Sequence, residues 1–292
     1  MYKVNFIFKL FTYYINLKLE LIILETKDFA KNMRKLIVEA IYNSGSGHPG
    51  GSLSCTDFVS VLFNEEMNKS PECPKDPDRD RFVLSKGHAS ATLYAALALK
   101  GFFPTEEMKT FRKIGGRLEG HPDMKYIPGV DMSTGSLGQG ISTACGMAVS
   151  GKRLNKDYRV YAVMGDGELE EGQCWEAFMF AAHYKLDNLC VFIDFNGLQI
   201  DGEITKVMSP LPIPEKMKAF GFNVIEIDGH NLDEIRAALK NAKETKGMPT
   251  AVVCHTVKGK GVSFMENAAG WPGTAPNKEQ YEQAIKEIEA NG

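Results

Sequence analysis

The stretch DYRVYAVMGDGELEEGQCWEAFMFAAHYKLDNLCVFIDFNG, residues 157–197, decides the fold. It opens on DYRVYAVMG, apolar almost without interruption up to Gly165, and closes on NLCVFIDFN, apolar in the same way. Between them, CWEAFMFAAHYKL spaces its apolar residues as a helix does. A strand that is apolar on both faces must be covered on both, and a helix joining two such strands lets them run parallel.

The alternation continues in both directions. Upstream, DFAKNMRKLIVEAIYNSG reads as a helix ending at Gly45, ATLYAALALKG as a helix stopped by Gly101, and ISTACGMAVSGKRL as a helix of small residues suited to close packing. Downstream, PEKMKAFG reads as helix, FNVIEIDG as strand, LDEIRAALKNAKET as helix, PTAVVCHTV as strand and KEQYEQAIKEIEANG as a polar helix. The expected class is α/β, a doubly wound and mostly parallel sheet with helices on both faces. Its glycine-rich loops fall at the carboxyl ends of strands, where such sheets bind ligands.

No repeat or linker divides the chain, so 27–292 is read as one domain and 1–26 as an amino-terminal extension. At 292 residues, with 43% hydrophobic and 24% charged residues, the chain is long enough for a large core, and a fibre or disordered chain is excluded. A net charge of -3 gives no electrostatic reason to expect nucleic acid or a membrane as partner, so any anion must be held by local groups. Cys55, Cys73, Cys145, Cys174, Cys190 and Cys254 show no metal-ligand spacing and mostly lie in apolar runs, the pattern of reduced thiols in a cytoplasmic protein. The opening MYKVNFIFKLFTYYINLKLELIIL is interrupted by Lys9, Lys18 and Glu20, too often for a membrane span, and no small-residue cleavage site follows. It is compatible with an amphipathic segment, an interface arm, or translated sequence upstream of the true start.

Gly165-Asp166-Gly167 places one carboxylate in a tight strand-to-helix turn. The glycines let backbone N–H groups approach an anion, and a carboxylate at the same point repels that anion unless a cation lies between them. Mg²⁺ or Ca²⁺ bridging Asp166 to a phosphate group resolves the conflict, since hard cations take oxygen ligands. Further ligands come from the next strand end: the side-chain oxygen of Asn196 and the carbonyl of Leu198. GDG alone is a weak signal. The strand before it, the helix after it and Asn-Gly at the next strand end strengthen it.

His48, His88 and His121 each follow a glycine in a loop rather than lying on an apolar helix face. Three such histidines fit poorly with core packing and suit proton movement near neutral pH. His183 reads as a packing or surface residue, His230 in DGHN as serving a turn or helix start, and His255 as a strand end; none is assigned to catalysis.

With these residues in place, the sequence resembles the thiamine diphosphate enzymes, and more narrowly the amino-terminal part of transketolase. SGHPGGSLS (46–54), DRFVLSKGHASATLYAALALKG (80–101), EGHPDMKYIPGVDMSTGSLGQGIS (119–142), GDGELEEGQCWEA (165–177), DFNGLQIDG (194–202) and KGKGVSFMEN (258–267) carry the resemblance, which extends from about 27 to 277. It implies the thiamine diphosphate-binding fold, with Asp166, Asn196 and Leu198 holding Mg²⁺ (or Ca²⁺). Cofactor contacts are implied at His88, Gly135, Leu137, Asp166, Gly167, Glu171, Asn196 and Lys258, with Glu171 joining a hydrogen-bond network across the subunit interface. His48, His88 and His121 would be catalytic, His48 and His121 lining the channel to the reactive carbon. His88 would approach the diphosphate, with Lys86 adding positive charge.

The resemblance also implies the reaction: transfer of a two-carbon ketol unit from a ketose phosphate such as xylulose 5-phosphate to an aldose phosphate such as ribose 5-phosphate, in the pentose phosphate pathway. The glutamate that activates the cofactor in this family lies in a second, pyrimidine-binding domain. The expectation is a split transketolase whose carboxy-terminal subunit carries that domain, assembled as a heterotetramer. One departure stands out: Trp271-Pro272-Gly273 occupies the place of the family's Trp-His-Gly. Proline neither donates a hydrogen bond nor carries a proton, which leaves room for another sugar phosphate, a relative such as deoxyxylulose-phosphate synthase, or a non-catalytic cofactor-binding scaffold.

Overall fold

The computed structural model describes residues 25–200, 202–268, 271 and 273–291. Residues 1–24, most of the amino-terminal extension, and Pro272 lie outside the described residues.

Helix α1 covers 25–44 and turns its apolar face, Met33, Ile37, Val38, Ala40 and Ile41, into the core. It stops where Gly45 takes a positive φ of 68° and its N–H turns back to the Ile41 carbonyl, a left-handed cap that costs glycine little. Two short helices follow, α2 (Pro49–Ser54) and α3 (Thr56–Val61), the second running into a π turn at Leu62–Glu66. Strand β1 (Arg81–Leu84) leads through a 3₁₀ turn into α4 (Ser90–Leu99), buried over all but its last residue. Then come α5 (Gln139–Arg153), β2 (Val160–Gly165), α6 (Gly172–His183) and β3 (Leu189–Phe195).

A small antiparallel hairpin, β4 (Leu198–Gln199) and β5 (Gly202–Glu203), precedes α7 (Ile204–Val207) and α8 (Ile213–Ala219). The chain ends with β6 (Asn223–Asp228), α9 (Leu232–Glu244), β7 (Thr250–His255) and α10 (Lys278–Asn291).

Among the described residues the main sheet is five-stranded and wholly parallel, in the order β1-β2-β3-β7-β6. Side chains alternate across it. Tyr161, Val163, Cys190 and Phe192 enter one apolar cluster with α1, α3, α4 and α9, while Val160, Ala162, Met164, Val191 and Ile193 enter a second with α5, α6 and α8. Each wholly buried Phe or Ile contributes about 1.5–3 kcal/mol, and this two-sided burial is why the strands are apolar without alternation. The doubly wound α/β class expected from the sequence is the class observed. Strand β1, the helices α2, α3 and α7 and the hairpin are additions to the sequence reading, all too short for a periodic signal.

Register positions the site. Gly165 pairs with Asp194, and Asp194 with Cys254, so the turns after β2, β3 and β7 lie side by side at the carboxyl edge. Ser85, after β1, donates its N–H to the Val163 carbonyl at 2.8 Å and adds a fourth loop to the row.

Candidate active site

The carboxyl edge is organised around one buried ion pair. Lys86 Nζ donates to Asp194 Oδ2, their side chains 1% and 0% exposed. Ser54 Oγ and Thr256 Oγ1 each donate to the same carboxylate at 2.5 Å, and Asn196 Nδ2 approaches it at 3.4 Å. Burial pushes the Asp194 carboxyl up, but the Lys86 ammonium and these donors more than offset it and hold it below the usual carboxylate range. Burial likewise opposes the charge on Lys86, and Asp194 overcomes it. Lys86 is therefore committed to a counter-charge and to the Gly51 carbonyl at 2.7 Å, not left as a free positive charge for a diphosphate.

Asp166 caps the 3₁₀ turn Gly167–Glu170. Its Oδ1 accepts from the Gly167 N–H at 2.9 Å and its Oδ2 from the Gly197 N–H at 2.6 Å, tying the GDG turn to the turn after β3. Burial, then the nearby Asp194 charge, pushes its carboxyl up to about 7. A carboxylate this unfavourable to ionise is one that a cation would relieve.

Asn196 and the Leu198 carbonyl border the same cavity, and that carbonyl already takes a cationic partner, Lys258 Nζ at 3.3 Å. Among the described residues no cluster of three His, Cys, Asp or Glu side chains could cage an ion. The donor set fits a hard cation that completes its shell with phosphate oxygens, as Mg²⁺ does. It therefore fits a metal-diphosphate better than a metal alone.

The cavity, of about 280 Å³, gathers His48, His88, His121, Gly135, Leu137, Asp166, Gly167, Asn196, Leu198 and Lys258 from loops far apart in the chain. Every site residue singled out from the sequence lines it except Glu171, which is exposed at the start of α6. Among the described residues four larger clefts, of about 390, 470, 500 and 630 Å³, include none of these histidines.

The His48 and His88 rings meet edge-on at 5.3 Å. Burial and then Lys86 lower the His88 pKa to about 3, so it is a neutral donor and acceptor at physiological pH rather than an acid. Burial and then Arg112 also lower that of His121. Two glycines make room for these rings: a Cβ on Gly51 would lie 3.2 Å from His88 Nε2, and one on Gly135, at φ +152°, 3.0 Å from the His121 ring.

Two residues that hold the site together escaped the sequence reading. Glu168, 2% exposed, accepts from Ser85 Oγ, from the Gly138 N–H at 2.9 Å and from the Gly165 N–H at 3.0 Å, joining three cavity loops. Its one local signal is an acidic run after GDG, a pattern that by itself fits a helix amino-terminus. Asp194 is the other, and its one local signal is an acid near the end of an otherwise apolar strand. The Trp271 carbonyl stands 3.4 Å from a Cβ built on Gly50, and a Cβ on Gly273 would lie 3.9 Å from His48, so Gly273 lies beside a cavity-lining histidine.

Residues 25–290 match the family model described as transketolase, thiamine diphosphate binding domain. The chain is 46% identical over 264 residues to a 6-deoxy-6-sulfo-D-fructose transketolase subunit from a Clostridium species, covering 90% of this chain and 96% of that one. It is 42% identical over 255 residues to an apulose-4-phosphate transketolase subunit from Phocaeicola vulgatus, covering 87% and 90%. Among solved structures, transketolase from Leishmania mexicana superposes with a TM-score of 0.87 at 34% identity, over 90% of this chain but 41% of that longer one.

Proposed function

The chain belongs to the transketolase family as its thiamine diphosphate-binding domain, and from that premise we propose that it is the diphosphate-binding subunit of a two-chain transketolase. In this reading a second polypeptide supplies the pyrimidine-binding domain, two copies of each form a heterotetramer in the cytoplasm, and active sites lie between chains. The observation that carries it is the single cavity in which the Asp166 carboxylate, Asn196, the Leu198 carbonyl and three histidines converge.

When bound, thiamine diphosphate supplies the carbon nucleophile that takes up and passes on the two-carbon unit. Asp166, Asn196 and Leu198 would hold its Mg²⁺, and Lys258, with the Gly167 turn, its diphosphate. His48, His88 and His121 orient the sugar oxygens. A neutral His88 serves by donating and accepting hydrogen bonds, and the more open His121 is the better placed to move a proton.

The proposed reaction is ketol transfer from xylulose 5-phosphate to ribose 5-phosphate in the pentose phosphate pathway. A second reading, transfer from a different sugar, is favoured by two relatives matched over nearly their whole length and named for 6-deoxy-6-sulfo-D-fructose and for apulose 4-phosphate. Pro272, unable to donate a hydrogen bond, is compatible with a changed substrate.

The test is ketol transfer with Mg²⁺ and thiamine diphosphate, using the chain alone and with its candidate partner chain, and offering each of the three donors in turn. Activity only in the mixture supports the split enzyme, and the donor with the highest kcat/KM selects between the readings. A mixture that binds no cofactor refutes both.

A further inference from the structure

We propose that His230 is a positioning residue for Lys258: an imidazole outside the cavity that fixes the backbone from which the Lys258 ammonium reaches in. His230 lies in the turn between β6 and α9 and does not line the cavity. Its Nε2 accepts the Val257 N–H at 2.8 Å. An amide can only donate, so Nε2 carries no proton in this bond, and the neutral ring bears its proton on Nδ1. That nitrogen faces Asp57 Oδ2 at 2.7 Å and donates to it.

Asp57, on α3 and 8% exposed, also accepts from Arg34 Nη2 at 2.6 Å. Burial pushes its carboxyl up, but Arg34 and His230 more than offset this, so it remains a charged acceptor. Arg34 then returns to the same segment, its Nε donating to the Lys260 carbonyl at 3.3 Å. One network from α1, α3 and the β6–α9 turn thus grips the chain on either side of Lys258.

On the other side of this segment, Lys258 is 7% exposed, donates to the Leu198 carbonyl and packs under Gly50, whose added Cβ would lie 3.0 Å from Lys258 Cγ. The Gly259 N–H bonds the Gly50 carbonyl at 3.0 Å, so the lysine's direction depends on where 257–260 is held. A cleft of about 470 Å³, lined by Arg34, Asp57, His230 and Lys260, opens behind it, so hydrogen bonds, more than packing, hold the segment there.

The inference rests on the proposed function for one of its two readouts. The full chain, assembled with its partner, is compared as wild type, His230→Phe, His230→Gln, His230→Asn, Lys258→Ala and the double variant His230→Phe/Lys258→Ala. The first readout is amide hydrogen exchange at Val257, which involves no cofactor. His230→Phe, which keeps a ring but no acceptor, should speed it at least about tenfold, the loss of one buried hydrogen bond. His230→Gln reaches the same amide with its side-chain oxygen and should restore most of the protection, whereas the shorter His230→Asn should not.

The second readout is calorimetric titration with thiamine diphosphate and Mg²⁺. His230→Phe should weaken binding about tenfold, and adding it to Lys258→Ala should weaken binding no further, because both act through one ammonium. Unchanged exchange in His230→Phe, or additive losses in the double variant, overturns the inference. Should His230→Phe not fold, equal exchange in the Gln and Asn variants overturns it. A wild-type assembly that binds no thiamine diphosphate, with the exchange pattern as expected, refutes the cofactor assignment and leaves the positioning role standing.

Discussion

Lys86→Met tests the ion pair at the centre of the site. It removes the ammonium and leaves the Asp194 carboxylate wholly buried, with the Ser54 and Thr256 hydroxyls at 2.5 Å and Asn196 Nδ2 at 3.4 Å as its remaining partners. The charge keeps hydrogen bonds but loses its counter-charge, and taking one partner from a buried pair costs about 3–5 kcal/mol. Asp194→Asn is the mirror case, leaving the Lys86 ammonium with the Gly51 carbonyl at 2.7 Å. The double variant Lys86→Met/Asp194→Asn removes both charges and keeps an amide for the two hydroxyls. It should cost less than the sum of the single variants by about 2–3 kcal/mol.

In a chain of this size a single variant should melt about 10 °C lower. The pH dependence is fixed by the signs of the shifts. An acid held below its ordinary 3.8 stabilises fully above that pH and loses its contribution as pH falls further; a base held above its ordinary 10.5 stabilises fully below that and loses it as pH rises further. The pair's contribution in the wild type should therefore be flat from about pH 5 to 9, whereas in Lys86→Met the stranded Asp194 carboxyl, pushed up by burial, takes a proton as pH falls, so the loss shrinks toward acid pH. Urea unfolding of the full chain, followed by far-UV circular dichroism, measures it. A loss below about 1 kcal/mol, or a double variant as costly as the sum, would refute the reasoning.

Asp166→Ala should abolish Mg²⁺-dependent thiamine diphosphate binding by calorimetry while the chain stays folded, because it removes the one charged oxygen donor among the proposed metal ligands; unaltered affinity would remove the metal-diphosphate reading of GDG. His121→Ala should lower kcat for ketol transfer by about 10²–10⁴-fold with cofactor affinity changed less than about threefold, and equal losses in both would assign it a structural role. Gly87→Ala should cost about 1–3 kcal/mol and impair cofactor binding, since its Cβ would meet the Gly135 nitrogen and the Thr134 carbonyl carbon at 2.7 Å, backbone atoms of a neighbouring cavity loop. A variant with wild-type thermal stability and affinity would show that those loops yield.

What the sequence made legible is what short-range physics encodes. The β2–α6–β3 unit could be read because its strands are apolar on both faces, and the loop histidines because each follows a glycine outside any periodic pattern. Strand β1 escaped because four residues carry no period. The interactions that hold the site escaped for a different reason: Lys86 and Asp194 are 108 residues apart, and Ser85 and Glu168 are 83 apart. Such pairs leave no spacing to recognise, so Lys86 reads as a free charge and Glu168 as a helix-start acid until the sheet brings their partners in. His230 was read as a turn residue, and it does sit in a turn. Its contact with Val257 is invisible without the β6–β7 pairing that sets the two turns side by side.

The carboxylate of Asp194 collects groups from the ends of α2, β1, β3 and β7. A nascent chain therefore completes the cavity only once Thr256 and Lys258 have left the ribosome and β7 has slotted between β3 and β6. Contacts of such long sequence separation form late in folding. On the proposed function, the cofactor recognises only the finished sheet and stabilises it by mass action. The supply of thiamine diphosphate then governs how long the chain survives proteolysis, as well as how fast it works.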